Sequence, residues 1–95
     1  MLEFDWDDDK ATANLARPGR PAFDYAARVF LDSSVVEFDT TRREDGEIRR
    51  KAVGLIDGKL FVVVFTDRGP VRRIISARRC NNKEGLAYGA VHARS

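Results

Sequence analysis

The sequence predicts an α+β domain in which two N-terminal helices pack on an antiparallel β-sheet, closed by a short C-terminal helix. Three observations predict it. Phe23, Ala26, Ala27, Phe30 and Leu31 fall at i, i+3, i+4, i+7 and i+8, the apolar stripe of a helix that faces a sheet. Asp57-Gly58 separates two apolar runs and suits the φ > 0 demands of a tight hairpin. Phe61-Val62-Val63-Val64-Phe65 shows no alternation, so it reads as a central strand covered on both faces.

Taken in order, Leu2-Glu3-Phe4-Asp5-Trp6 alternates apolar and polar, the period of a half-buried edge strand. Asp7, Asp8 and Asp9 precede a helix-favouring stretch from Lys10 to Ala16, where acids in the first turn complement the helix dipole. Pro18, Gly19 and Pro21 break the chain, and Pro21 opens the second helix. Val35, Val36 and Phe38 mark the next strand, and Asp45-Gly46 reads as a turn in the polar segment after it. Lys51 to Ile56, Leu60 to Thr66 and Val71 to Ala77 then form a three-stranded antiparallel meander, its second turn lying within Asp67 to Pro70. Asn81 to Arg94 is the closing helix, weakened by Gly85 and Gly89, which cost about 1 kcal/mol each against alanine.

A chain of 95 residues, 43% hydrophobic and 34% charged, predicts one domain over 1–95. No apolar run approaches the roughly 20 residues that cross a bilayer, and the acidic start is unlike a secretory signal, so the expected location is cytoplasmic, away from membranes. A lone cysteine, Cys80, allows no internal disulfide and no thiolate metal cluster. The net charge of +2 conceals a strong asymmetry. Residues 1–47 hold 12 acids and 6 bases, whereas residues 48–95 hold 3 acids and 11 bases. Of the 17 bases 13 are arginine, whose planar fork suits bidentate phosphate contacts; this composition fits a polyanionic partner or a solvated basic face.

Specific residues carry a resemblance. They are Phe4-Asp5-Trp6-Asp7 with Lys10 and Asn14; Phe23; Ala26-Ala27-Arg28-Val29-Phe30-Leu31-Asp32; Arg42, Gly46-Glu47, Arg49 and Gly54. Val63-Val64-Phe65-Thr66, Arg68-Gly69, Arg73-Ile74-Ile75-Ser76-Ala77-Arg78-Arg79, Glu84 and Tyr88 continue it. In these positions the chain resembles the BrnT family of type II toxins over nearly its whole length. The resemblance implies a RelE-like fold, ribonuclease activity that needs no metal or other cofactor, and neutralisation by a cognate BrnA-type antitoxin; operator DNA, reached through that antitoxin, is a further candidate partner. The chain departs from the family's usual Asn-x-x-Lys-His-Gly, because Asn14 is followed by Leu15-Ala16-Arg17-Pro18-Gly19. Pro18 stands where the histidine would be, which removes the side chain best poised for proton transfer near neutral pH.

Cleavage of RNA without a metal requires deprotonation of a 2′-OH, stabilisation of a phosphorane and protonation of the leaving 5′-oxygen. Arg78 at the end of the last strand, with Arg42 and Arg68 in connections, forms a candidate charge clamp, and Glu47 is the candidate base. Arg78 equally suits a strand-end ion pair with Glu47 or Asp67, and Glu47 a pair with Arg49. Strand alternation puts Arg78 and Arg79 on opposite faces. Lys10 and Asn14 project from one helix face as candidate RNA contacts, with Arg73 and Arg79 as further ones. Trp6 is a core anchor or a stacking platform, Cys80 a packing residue or a minor exposed thiol, and His92 replaces the absent histidine only if the tail folds back. Arg68, Arg72, Arg73, Arg78 and Arg79 together predict a basic sheet face that an acidic partner segment covers. The competing function is a catalytically weak or inactive antitoxin-binding module, the reading that Pro18 favours.

Overall fold

A computed structural model describes residues 3–40 and 48–92, the last two of these by backbone alone. Strand β1 is Glu3–Trp6, helix α1 Asp8–Leu15 and helix α2 Phe23–Ala26, which continues as a 3₁₀ segment Ala27–Leu31. Strands β2 (Val36–Asp39), β3 (Arg50–Ile56), β4 (Lys59–Arg68) and β5 (Val71–Arg79) follow, and helix α3 (Asn82–His92) comes last. The sheet order is β1-β5-β4-β3-β2, which places the unbroken apolar run of β4 at its centre as its lack of alternation requires.

Two tight hairpins build the meander. Ile56 faces Lys59 across Asp57 and Gly58, whose φ values of 51° and 79° are both positive, the demand of a type I′ turn. Arg68 faces Val71 across Gly69 at φ 58° and Pro70, so only the first central residue needs the glycine-tolerant region. The predicted antiparallel sheet is corrected at one edge, where β1 pairs with β5 in parallel, so the sheet is mixed. Helices rather than a hairpin connect β1 to the rest, which frees its direction, and alternation in β1 is blind to it.

The second helix also departs from expectation. Its predicted stripe ends on Leu31, which is 81% exposed, while Val29 is fully buried. The cause is the shift to 3₁₀ geometry, whose three residues per turn align Phe23, Ala26 and Val29 instead. Val29 needs the glycine at Gly54, where a Cβ would lie 2.8 Å from the Val29 carbonyl oxygen. Close contact with the β3 backbone therefore sets the register of the helix.

Phe23, Ala26 and Val29 pack on Ala52, Ile56, Phe61, Val63, Phe65, Ile74 and Ala77 to form the core. Phe30 meets Phe65 edge-on at 5.2 Å, and Trp6 meets Phe23 edge-on at 6.0 Å, so Trp6 is a core anchor. Ile74 and Ala77 both reach this core because β5 carries a bulge: Val64 pairs Ser76 and Phe65 pairs Ile74, leaving Ile75 as the extra residue. The bulge preserves the inward face on both sides of itself. Helix α3 lies on the opposite face, where its Glu84 meets Lys51 and Arg78. Asp7 caps α1 by accepting from the Asp9 and Lys10 amides, as the acidic run implies. Among the described residues, no helix is long and apolar enough to cross a membrane.

Candidate nucleic-acid interface

The arginines of β5 divide between two faces. Arg72 and Arg79 turn toward the core side: Arg72 stacks over Phe65 at 4.3 Å and Phe30 at 4.8 Å, and Arg79 lies over Phe61 at 5.4 Å. Arg73 and Arg78 turn the other way, to Asp5 at 3.2 Å and to Glu84 at 2.7 Å. Arg78 and Arg79 thus occupy opposite faces, as alternation requires. The single basic face expected of Arg68, Arg72, Arg73, Arg78 and Arg79 is not present. Carboxylates also hold most of that charge, since Arg72 donates to both oxygens of Asp67 at 2.8 and 3.1 Å and reaches Glu37 at 3.5 Å. Hydrogen bonding to Asp67 raises the Arg72 pKa.

Glu84 organises the α3 face. Its carboxylate accepts from Arg78 Nη1 at 2.7 Å and Nη2 at 2.8 Å, from Lys51 Nζ at 3.0 Å, and from the Asn81 amide at 3.0 Å. Asn81 Oδ1 accepts from the Glu84 amide in return at 2.8 Å, a reciprocal cap at the start of α3. Burial alone would raise the pKa of Glu84, but hydrogen bonds from Arg78, the Asn81 amide and Lys51 outweigh it and bring it down to about 2. Glu84 therefore stays ionised and aims the Arg78 fork; it is no proton acceptor near neutral pH.

A different environment lies at the free edge of β5. β1 pairs with β5 only as far as Ile74, so among the described residues the outer edge beyond it has no strand neighbour. Asn14 caps that edge: its Oδ1 accepts from the Ala77 amide at 3.3 Å and from Arg20 Nη1 at 3.1 Å, and its Nδ2 donates to Pro21 O at 3.1 Å. Arg20 also donates to Ala77 O at 3.4 Å. Beside it runs a groove of about 250 Å³ lined by Lys10, Ala13, Asn14, Arg17, Arg20, Ile75 and Ser76. Burial first, and then the charges of Arg17 and Arg78, lower the Arg20 pKa.

The candidate site residues are thus dispersed. Lys10 and Asn14 do share one groove, but Asn14 is buried and its amide is spent on Arg20, Ala77 and Pro21, a positioning role instead of a direct RNA contact. Arg68 pairs with Val71 and Arg78 with Val62, six positions apart along β4 or roughly 20 Å of strand, so one phosphate cannot meet both. Arg73 pairs with Asp5, and Arg79 stacks on Phe61. Arg42 and Glu47 lie outside the described residues, as do the Asp45-Gly46 turn and the side chain of His92. Cys80 is half-buried, and burial pushes its thiol up to about 11, so it is not a thiolate at neutral pH. Sequence reasoning missed Glu84, Arg17 and Arg20 as functional residues. Asn81-x-x-Glu84 was a readable capping box, whereas the Arg20 contact with Ala77 spans 57 residues and has no local signal.

Fold and edge together define a small α+β protein with a basic groove beside an open strand edge. Residues 6–84 match the family described as "Ribonuclease toxin, BrnT, of type II toxin-antitoxin system", and the chain belongs to that family. It is thus a ribonuclease toxin of a type II toxin-antitoxin system, with an antitoxin as partner. No curated protein matches it.

Proposed function

We propose that this chain is a cytoplasmic endoribonuclease that cleaves RNA without a metal and is neutralised by a BrnA-type antitoxin, with operator DNA reached through that antitoxin. The match to ribonuclease toxins across residues 6–84 carries the reading. In the reaction the 2′-oxygen attacks the adjacent phosphorus, the bond to the 5′-oxygen breaks, and the products are a 2′,3′-cyclic phosphate and a free 5′-hydroxyl. The 2′-OH proton passes to a base, assigned to Glu47, and a proton from solvent or a side chain reaches the leaving oxygen. Arg78, its fork aimed by Glu84, is the group assigned to the phosphorane charge, and Arg42 is assigned to the same charge clamp. Arg68, at the far end of β4, is assigned to the RNA backbone instead.

Purified chain is expected to cleave RNA in the presence of EDTA and to leave cyclic-phosphate ends. Arg78→Ala is expected to lower turnover by about 10- to 1000-fold, the range found on removing one transition-state donor. Pro18 favours the second reading, an antitoxin-binding module with little chemistry. Pro18→His separates the two. A faster enzyme with an unchanged fold supports the ribonuclease, while two inert proteins that still bind antitoxin support the module.

A further inference from the structure

We propose that the groove of Lys10, Arg17 and Arg20 beside the free edge of β5 binds a backbone phosphate of RNA, with Asn14 as the residue that positions Arg20. This rests on the reading of RNA as substrate and assigns it a contact outside the cleavage position. Arg17 and Arg20 flank Pro18-Gly19, and Gly19 at φ 74° makes the turn that brings both guanidinium groups to one groove. The loop that lacks the family histidine thus carries an arginine pair instead.

Three features distinguish this groove from the other basic positions. Arg20 is tethered by two neutral acceptors, the Asn14 side chain and the Ala77 carbonyl, so its orientation is fixed and its charge is not cancelled. Lys10 and Arg17 line the same groove and meet no carboxylate among the described residues, the nearby Asp7 carboxylate being spent on the cap of α1. Arg20 donates to the carbonyl of Ala77, the residue before Arg78 on β5, which places the groove next to the assigned cleavage position. Ser76 on the groove wall and Arg78 lie two residues apart on one strand, roughly 7 Å, a step comparable to that between neighbouring phosphates. An RNA strand running along this edge would place one phosphate at Arg78 and the next against Arg17 and Arg20.

The test uses a short 2′-O-methyl RNA, which binds but cannot be cleaved, followed by fluorescence anisotropy across a salt series. Arg17→Ala is expected to weaken binding by about 3- to 10-fold and to reduce the slope of log affinity on log salt by about 0.7, the single-strand value for one lost phosphate contact. Asn14→Asp keeps an acceptor for Arg20 but adds a carboxylate beside it; with the fold checked by circular dichroism, it should lower both affinity and slope, an outcome that a purely structural role would not produce. Wild-type affinity and slope in both variants would overturn the proposal, as would a loss confined to antitoxin binding. Cleavage of unmodified RNA by the same proteins separates this inference from the enzymatic reading. If wild type binds the modified strand through the groove yet cleaves nothing, the chemistry falls and the groove stands. If wild type cleaves and the variants keep its KM, the groove falls and the chemistry stands.

Discussion

The two ends of β5 use arginine in opposite ways. At the hairpin end Arg72 is enclosed between Phe30 and Phe65 and held by Asp67 and Glu37. At the free end Arg20, reaching in from the loop after α1, is held among the described residues by neutral acceptors and shares its groove with Arg17. The first arrangement spends its charge on the fold, and the second leaves charge available to a ligand. Composition alone hides this difference. The 11 bases of residues 48–95 invite a reading of one basic face, yet Arg72, Arg73, Arg78 and Lys51 each meet a carboxylate.

Breaking the charge-holding network should have the largest effect. Glu84→Ala leaves Arg78 and Lys51 facing each other with no counter-charge and removes the carboxylate's half of the α3 capping box, the bond from the Asn81 amide, so a loss of about 2–4 kcal/mol is expected in denaturant unfolding. The same carboxylate sets a pH dependence. Because its folded pKa lies at about 2 and its ordinary value is 4.5, its contribution is present above 4.5 and is lost as pH falls toward 2. Glu84→Gln should flatten the acid limb of the stability curve in that window; an unchanged limb would remove Glu84 from the account. Next in size, Arg72→Ala should cost about 1–3 kcal/mol, because it deletes aromatic stacking as well as two carboxylate partners. Arg73→Ala should cost under about 1 kcal/mol, since its pair with Asp5 is partly exposed. A larger cost at Arg73 than at Arg72, measured by the same unfolding, would break the distinction between enclosed and peripheral charge.

Much of the architecture was legible from local chemistry. Positive φ at Asp57 and Gly58, the central run of β4, the Asp7 cap and the Arg78–Arg79 split all follow from residues close together in sequence. What escaped was set by distant contacts. The parallel direction of β1 leaves no trace in its alternation, and the 3₁₀ register of Val29 depends on the missing side chain of Gly54 on another element. The Ile75 bulge reverses facing within one strand, so counting by twos from Arg72 assigns the wrong face to Arg78. For the site, Lys10 and Asn14 were legible as one helix face, but Asn14 becomes a positioning residue only once Ala77 and Arg20 are beside it.

Arg17 and Arg20, which meet no carboxylate among the described residues, should meet RNA directly, whereas Arg72, whose charge Asp67 and Glu37 hold within the fold, should not. This contrast is tested most directly by following the arginine Nε–Hε signals in an NMR titration with 2′-O-methyl RNA. Arg17 and Arg20 should shift early and most, while Arg72, locked between Phe30, Phe65 and Asp67, should stay in place. Movement of Arg72 with Arg17 and Arg20 unmoved would contradict the account.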